Sequence, residues 1–319
     1  MEEKQINKWL RRQFSVVGWA LILYHGLMQI LVNGTVLVDI IKQYVKGFAA
    51  GDFGMELDYN ALMNNAWGYI LTIFVGIVIF WAWKGTDYWK NGILRKKAPM
   101  RASAFFTLLT LMAGAQLIFS VWVGGVEAVM NLFGKSILDI LESVSGDSDS
   151  ASMFLYAAVL APVSEEILFR VFVLRSLLPY GKRFAILGSA FLFAIFHGNI
   201  LQVPYAFLAG LVLGYCAAEY SVIWSTVLHV INNLILADLL TRLMGLLPAP
   251  AADALNGVVL GGFALAAVII LIVKRREIRA YRQGEWMDRR CLKCFFLNSG
   301  VLILTSIMAI NMVYMLVMA

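Results

Sequence analysis

Ser164-Glu165-Glu166-Ile167-Leu168-Phe169-Arg170 lies in the middle of an apolar run spanning approximately 152–174. A charged side chain at mid-bilayer costs roughly 2.5–3.5 kcal/mol even on the mildest scale. Three ionisable groups in such a run therefore have to face a protein interior or a wet cavity, and intramembrane chemistry is the first hypothesis. On a helix Glu166 and Arg170 are four apart on one face, with the acid N-terminal, the better order for a pair. Glu165 is rotated by about 100°. It has no partner on its own helix and is the carboxylate free for proton work.

The rest of the chain has the composition of a membrane protein. Its 319 residues are 61% hydrophobic and 14% charged, with mean hydropathy +0.78; soluble domains carry about 25% charged residues. A single water-soluble core is excluded. Nine apolar segments approach the length needed for a hydrocarbon core of roughly 30 Å: 13–33, 66–83, 102–127, 152–174, 184–200, 203–219, 222–246, 256–273 and 297–318. The predicted fold is all-α, a polytopic bundle of eight to nine membrane helices. Pro204 and a short polar link make 184–219 the weakest part of the map, read as two short helices or one hairpin dipping partway. The basic N-terminus resembles a signal sequence but reads as a retained first span.

Charge placement tests the map independently. With the N-terminus inside and nine alternating spans, the cytoplasmic segments 1–12, 84–101, 175–183, 220–221 and 274–296 hold 4, 6, 3, 0 and 8 Lys or Arg, 21 of the 26. This is the positive-inside pattern. It predicts a multi-pass cell-membrane protein with a cytoplasmic N-terminus. It also explains the net charge of +6 without nucleic acid, which is excluded as a partner. The 34–65 and 135–151 stretches read as acidic outside loops, and 274–293 as a segment lying on headgroups. Cys291 and Cys294 are too few for a zinc site; acylation or no role is expected. Gly210 and Gly214, four apart, let a neighbouring helix approach closely.

The chain has three histidines. His197 and His229 follow the glutamates in successive apolar segments, and Asn233 shares a face with His229. His25, in the first span, reads as structural and remote. A carboxylate in a partly desolvated pocket can act as general base on a water. Imidazole and amide N–H groups can meet the resulting oxyanion. The same set, Glu165, Glu166, His197 and His229, could instead bind zinc or another divalent ion. Either route is peptide hydrolysis, and no His-Glu-x-x-His motif is present. Counted inward at about 1.5 Å per residue, Glu165, His197 and His229 bracket mid-bilayer without coinciding.

Glu165-Glu166-x-x-x-Arg170, Phe193-x-x-x-His197 and His229-x-x-x-Asn233, in that order, resemble the three motifs of the CPBP intramembrane proteases. That family groups type II CAAX prenyl proteases with bacteriocin-processing and immunity proteins. The resemblance covers about 150–240, roughly a third of the chain. It implies a helix bundle with a conical, water-accessible catalytic core. It also implies catalytic roles for Glu165, His197, His229 and Asn233, with Glu166, Arg170 and Phe193 in support. Glu165 would activate water, aided by His197; His229 and Asn233 would stabilise the oxyanion. A mechanism without a tightly held metal is preferred over the metalloprotease alternative. The chain divides into N-terminal helices (1–151), a catalytic core (152–247) and C-terminal helices with a basic loop (248–319). The expected activity is endopeptidase action on a membrane-associated CAAX-like, leader or bacteriocin peptide. Rival readings are a non-catalytic immunity or scaffold protein and a proton-coupled transporter.

Overall fold

A computed structural model describes residues 3–94, 97–137, 150–284 and 288–318. Among them there is no strand. Five helical segments, Glu3–Ala49, Tyr59–Lys84, Ala102–Asn131, Ala249–Val273 and Ser299–Met318, are long and apolar enough to cross a membrane. The protein is an all-α, multi-pass membrane bundle. In chain order the helices are α1 (Glu3–Ala49), α2 (Tyr59–Met63), α3 (Trp67–Lys84), α4 (Thr86–Ile93), α5 (Ala102–Asn131), α6 (151–177), α7 (Lys182–Phe196), α8 (Val203–Glu219), α9 (222–245), α10 (Ala249–Val273), α11 (Arg275–Gly284), α12 (Arg289–Phe296) and α13 (Ser299–Met318).

Two helices are not regular. In α6 the α-helical turns Ala151–Leu155, Ala161–Glu166 and Arg175–Leu177 alternate with π-helical stretches Tyr156–Leu160 and Ile167–Leu174. Pro162 has no N–H for the carbonyl one turn back, and the first π stretch absorbs that break just before it. In α9 a π stretch, Asn232–Leu239, follows Val222–Ile231. π insertions in helices occur frequently at functional sites.

The 184–219 region resolves into the two-short-helix reading. α7 spans about 22 Å, less than a bilayer core, and ends at Phe196. Gly198 then takes φ +61°, a backbone state open to glycine. The chain turns there and enters α8 at Val203, with Pro204 in its first turn. The turn's exposed carbonyls need partners inside an apolar bundle; Trp122 Nε1 donates to Ile200 O at 2.9 Å. α7 and α8 pack closely, because a Cβ on Gly210 would sit 3.0 Å from Ala190 Cα and one on Gly214 would sit 3.3 Å from Ile186 Cγ2. The close-approach reading of these glycines holds.

Several loop expectations change. Most of the 34–65 stretch is helix, since α1 runs to Ala49. At 47 residues it is about 70 Å long, more than twice a hydrocarbon core. Propensity carries it past the apolar run, because nothing between 34 and 49 breaks a helix except glycine. Residues 138–149 of the second acidic loop lie outside the described residues. Of the basic 274–296 segment, Arg275–Gly284 folds as α11 and Arg289–Phe296 as α12. Cys291 and Cys294 face inward, 4% and 2% exposed, with Cys294 Sγ 3.8 Å from Asn7 O. Acylation does not fit thiols buried against α1. His25 is not remote either, since its ring meets Phe196 edge-on at 5.9 Å.

α1 and α13 cross almost backbone to backbone. A Cβ on Gly18 would collide with the Gly300 backbone, and one on Gly300 with the Ser15 carbonyl. Gly300→Val should force the helices apart and destabilise by about 1–3 kcal/mol, the usual cost of overpacking; a lower thermal midpoint in detergent checks it. Burial, followed by Asp288, pushes the Cys291 thiol up to about 11. The thiolate is the reactive form. Cys291 should therefore resist maleimide at pH 7.5 in folded protein and label rapidly after denaturation.

Candidate active site

α6, α7 and α9 bring one charged cluster together. Glu166 is wholly enclosed, 0% exposed. Its Oε2 lies 3.3 Å from Arg170 Nε and accepts from Ser225 Oγ; its Oε1 lies 3.1 Å from His229 Nδ1. The same-face pairing of Glu166 with Arg170 is present as expected. Arg170 Nη1 donates to Ser189 Oγ at 3.0 Å, and Ser189 Oγ donates to Phe169 O at 2.8 Å. The guanidinium lies 4.9 Å from the Phe193 ring centre, a favourable placement over a π face.

Glu165 sits differently. Its side chain is 29% exposed, and its Oε2 lies 3.6 Å from His229 Nε2. One imidazole thus stands between two carboxylates, the enclosed Glu166 at Nδ1 and the accessible Glu165 at Nε2. A carboxylate can only accept, so the Glu166 contact requires a hydrogen on Nδ1. That fixes the ring as the buried acid of a catalytic triad fixes its histidine.

His197 closes α7. Its Nδ1 lies 2.8 Å from Phe193 O, an obligate acceptor, which leaves Nε2 without a hydrogen in the neutral ring. Phe193 meets both imidazoles edge-on, at 4.8 Å from His197 and 5.7 Å from His229. It joins the two histidines through packing. Asn233 Nδ2 donates to Ala157 O at 3.3 Å, and Asn232 Nδ2 donates to Asn233 Oδ1 at 3.1 Å.

Sequence reasoning missed several members. Ser225 stands one turn before His229 and Ser189 one turn before Phe193, so helical spacing was their available signal. Asn232 was adjacent to a chosen residue. Tyr24 and Tyr156 lie within electrostatic reach of Glu165 and had no local signal, because their helices approach only in the folded bundle.

The expected metal set of Glu165, Glu166, His197 and His229 does not fit. Glu166 is occupied by Arg170, Ser225 and His229, and His229 Nδ1 is turned to that carboxylate. Among the described residues no three His, Cys, Asp or Glu side chains are grouped to hold a metal ion. No step below passes through one.

Residues 147–235 match the family model described as type II CAAX prenyl endopeptidase Rce1-like. This match over 147–235 supports membership of the CPBP intramembrane protease family. The segment contains all three motifs and every residue of the charged cluster. No curated protein and no solved structure matches the chain.

Removing one partner of a buried pair costs about 3–5 kcal/mol, while replacing both with apolar groups is often neutral. Glu166→Ala should therefore lower the thermal midpoint sharply. Glu166→Leu with Arg170→Met should recover most of the loss, as read by melting in detergent.

Proposed function

We propose that the chain is an intramembrane endopeptidase in which Glu165 activates water against a peptide bond. The observation that carries this reading is the accessible carboxylate of Glu165 beside an imidazole whose far nitrogen is fixed by Glu166. Glu165 takes a proton from a water, and the hydroxide oxygen bonds to the peptide carbonyl carbon. His197, with Nε2 open, helps hold that water. The oxyanion accepts from Asn233 Nδ2–H, and from His229 Nε2 when that nitrogen carries a hydrogen. Glu165 then returns the proton to the peptide nitrogen as the C–N bond breaks, giving a new carboxylic acid end, which passes its proton to solvent or to the amine, and a free amine. No tightly bound cofactor enters this scheme, and its metal-free character is part of the proposal.

The family match supports a peptide or protein substrate, and we infer that it is membrane-associated. We infer that the core comprises 152–247, with the conical cavity the family implies, and that the N-terminus and the basic α11–α12 segment lie on the cytoplasmic side. The last inference is supported by the clustering of 21 of 26 Lys and Arg in the segments assigned to that face.

Purified protein in liposomes, given a prenylated CAAX peptide and an unprenylated leader peptide in parallel, tests the reading. Glu165→Gln should lower kcat by at least ~10²-fold, the low end for a general base. Its thermal midpoint should stay at the parent's value, because Glu165 is outside the enclosed ion pair. Equal cleavage by parent and Glu165→Gln would sink the assignment.

A further inference from the structure

We propose that Tyr205 and Asn232 are positioning residues that hold the Asn233 amide with its NH₂ turned to the reacting carbonyl. The inference rests on the reading of Asn233 as an oxyanion donor.

Three helices meet here. Ala157 belongs to the first π stretch of α6, Asn232 and Asn233 open the π stretch of α9, and Tyr205 lies in the first turn of α8. The contact between Asn233 and Ala157 ties the two π stretches together. Its polarity is forced: a backbone carbonyl only accepts, so the Nδ2 of Asn233 faces Ala157 O at 3.3 Å. Asn233 Oδ1 therefore faces Asn232, which must offer Nδ2, at 3.1 Å. Asn232 Oδ1 in turn faces Tyr205, whose hydroxyl donates at 2.6 Å.

Every donor in this chain points the same way, from Tyr205 through Asn232 and Asn233 to Ala157. Such a run polarises its members cooperatively. Flipping the Asn233 amide would set its Oδ1 against Ala157 O and its Nδ2 against the Nδ2 of Asn232. Both contacts would become repulsive, so the flip is barred while Asn232 keeps its orientation. Tyr205 supplies that orientation, because its hydroxyl satisfies Asn232 Oδ1. An amide NH₂ carries two hydrogens. One is directed to Ala157 O, and the other is the hydrogen an oxyanion accepts. Without the relay, Asn233 could present its carbonyl oxygen to a developing negative charge. Oxyanion stabilisation depends on donors that are already aimed before the charge develops.

The bland alternative is that these bonds only satisfy buried polar groups, and a mutant cycle separates the two. The full chain in liposomes cleaves the better of the two peptides used above. Asn233→Ala should lower kcat by about 10²-fold. Tyr205→Phe and Asn232→Leu should each lower kcat by about tenfold, with KM unchanged, the signature of an interaction made only in the transition state. In the Asn233→Ala background neither change should lower kcat further, because both act through that amide. Tyr205→Phe removes a single oxygen, so it keeps the test open if Asn232→Leu does not fold. The relay is overturned if Tyr205→Phe leaves kcat at the parent value, or cuts it by the same factor again in the Asn233→Ala background. If Asn233→Ala itself has no effect while Glu165→Gln does, the oxyanion role falls and the relay with it. Loss of the Glu165 effect instead refutes the catalytic reading as a whole.

Discussion

The enclosed Glu166 carboxylate is the group around which the core is arranged. A full charge inside a helix bundle is tolerable only with good geometry and with its remaining lone pairs satisfied. Here the partners come from two helices: Arg170 from its own, Ser225 and His229 from α9. Arg170 then reaches α7 through Ser189 and the Phe193 ring. Rotating any of the three helices about its axis would strand a charge away from water. The cluster therefore fixes their rotational phase, which shape-complementary aliphatic packing alone specifies less sharply. Whether it adds net stability is a separate matter, because desolvation of the pair opposes its attraction.

Adjacent residues on a helix diverge by about 100°, and the Glu165-Glu166 dipeptide makes use of that. One carboxylate is turned inward and consumed by structure. The other is turned to an accessible face and keeps its lone pairs. His229 reaches both because it approaches from a second helix and offers a nitrogen to each. Two like charges next to each other in sequence are thereby separated by an imidazole and a nearby guanidinium. A single acid could not both anchor the ring and remain open to a water.

How much of this was legible in the sequence depends on range. The Glu166–Arg170 pair followed from four-residue spacing, and the nine apolar runs each have a helical counterpart. The long-range members did not follow. Tyr205 and Asn232 join only when α8 crosses α9. Tyr24 and His25 come near the cluster only because α1 packs beside α6 and α7. The depth count from span ends left Glu165, His197 and His229 out of level. It assumed regular helices of one length, whereas α7 starts at Lys182 and stops at Phe196, and α6 and α9 carry π stretches. The loop between 34 and 65 was misread because the first span was ended at a bilayer's length, whereas α1 runs on to Ala49 through a mixture of apolar and polar residues.

The π stretches are the least economical feature of the backbone, and their placement carries meaning. A π turn is rare; in an apolar bundle, with no water to repair it, the cost of a misplaced carbonyl rises. Yet one such stretch precedes Pro162 and the two glutamates, another follows Glu166, and a third begins at Asn232. Each re-aims the side chains beyond it. Ala157 O, in the first, receives the Asn233 amide from the third, so one π stretch supplies the acceptor that orients a residue of the other. Regular helices with the same sequence would move Glu165, Glu166 and Asn233 out of phase with one another. The backbone irregularity and the charged cluster are in this sense a single constraint: π stretches flank the α-helical turn that carries both glutamates, and those two carboxylates meet the same imidazole.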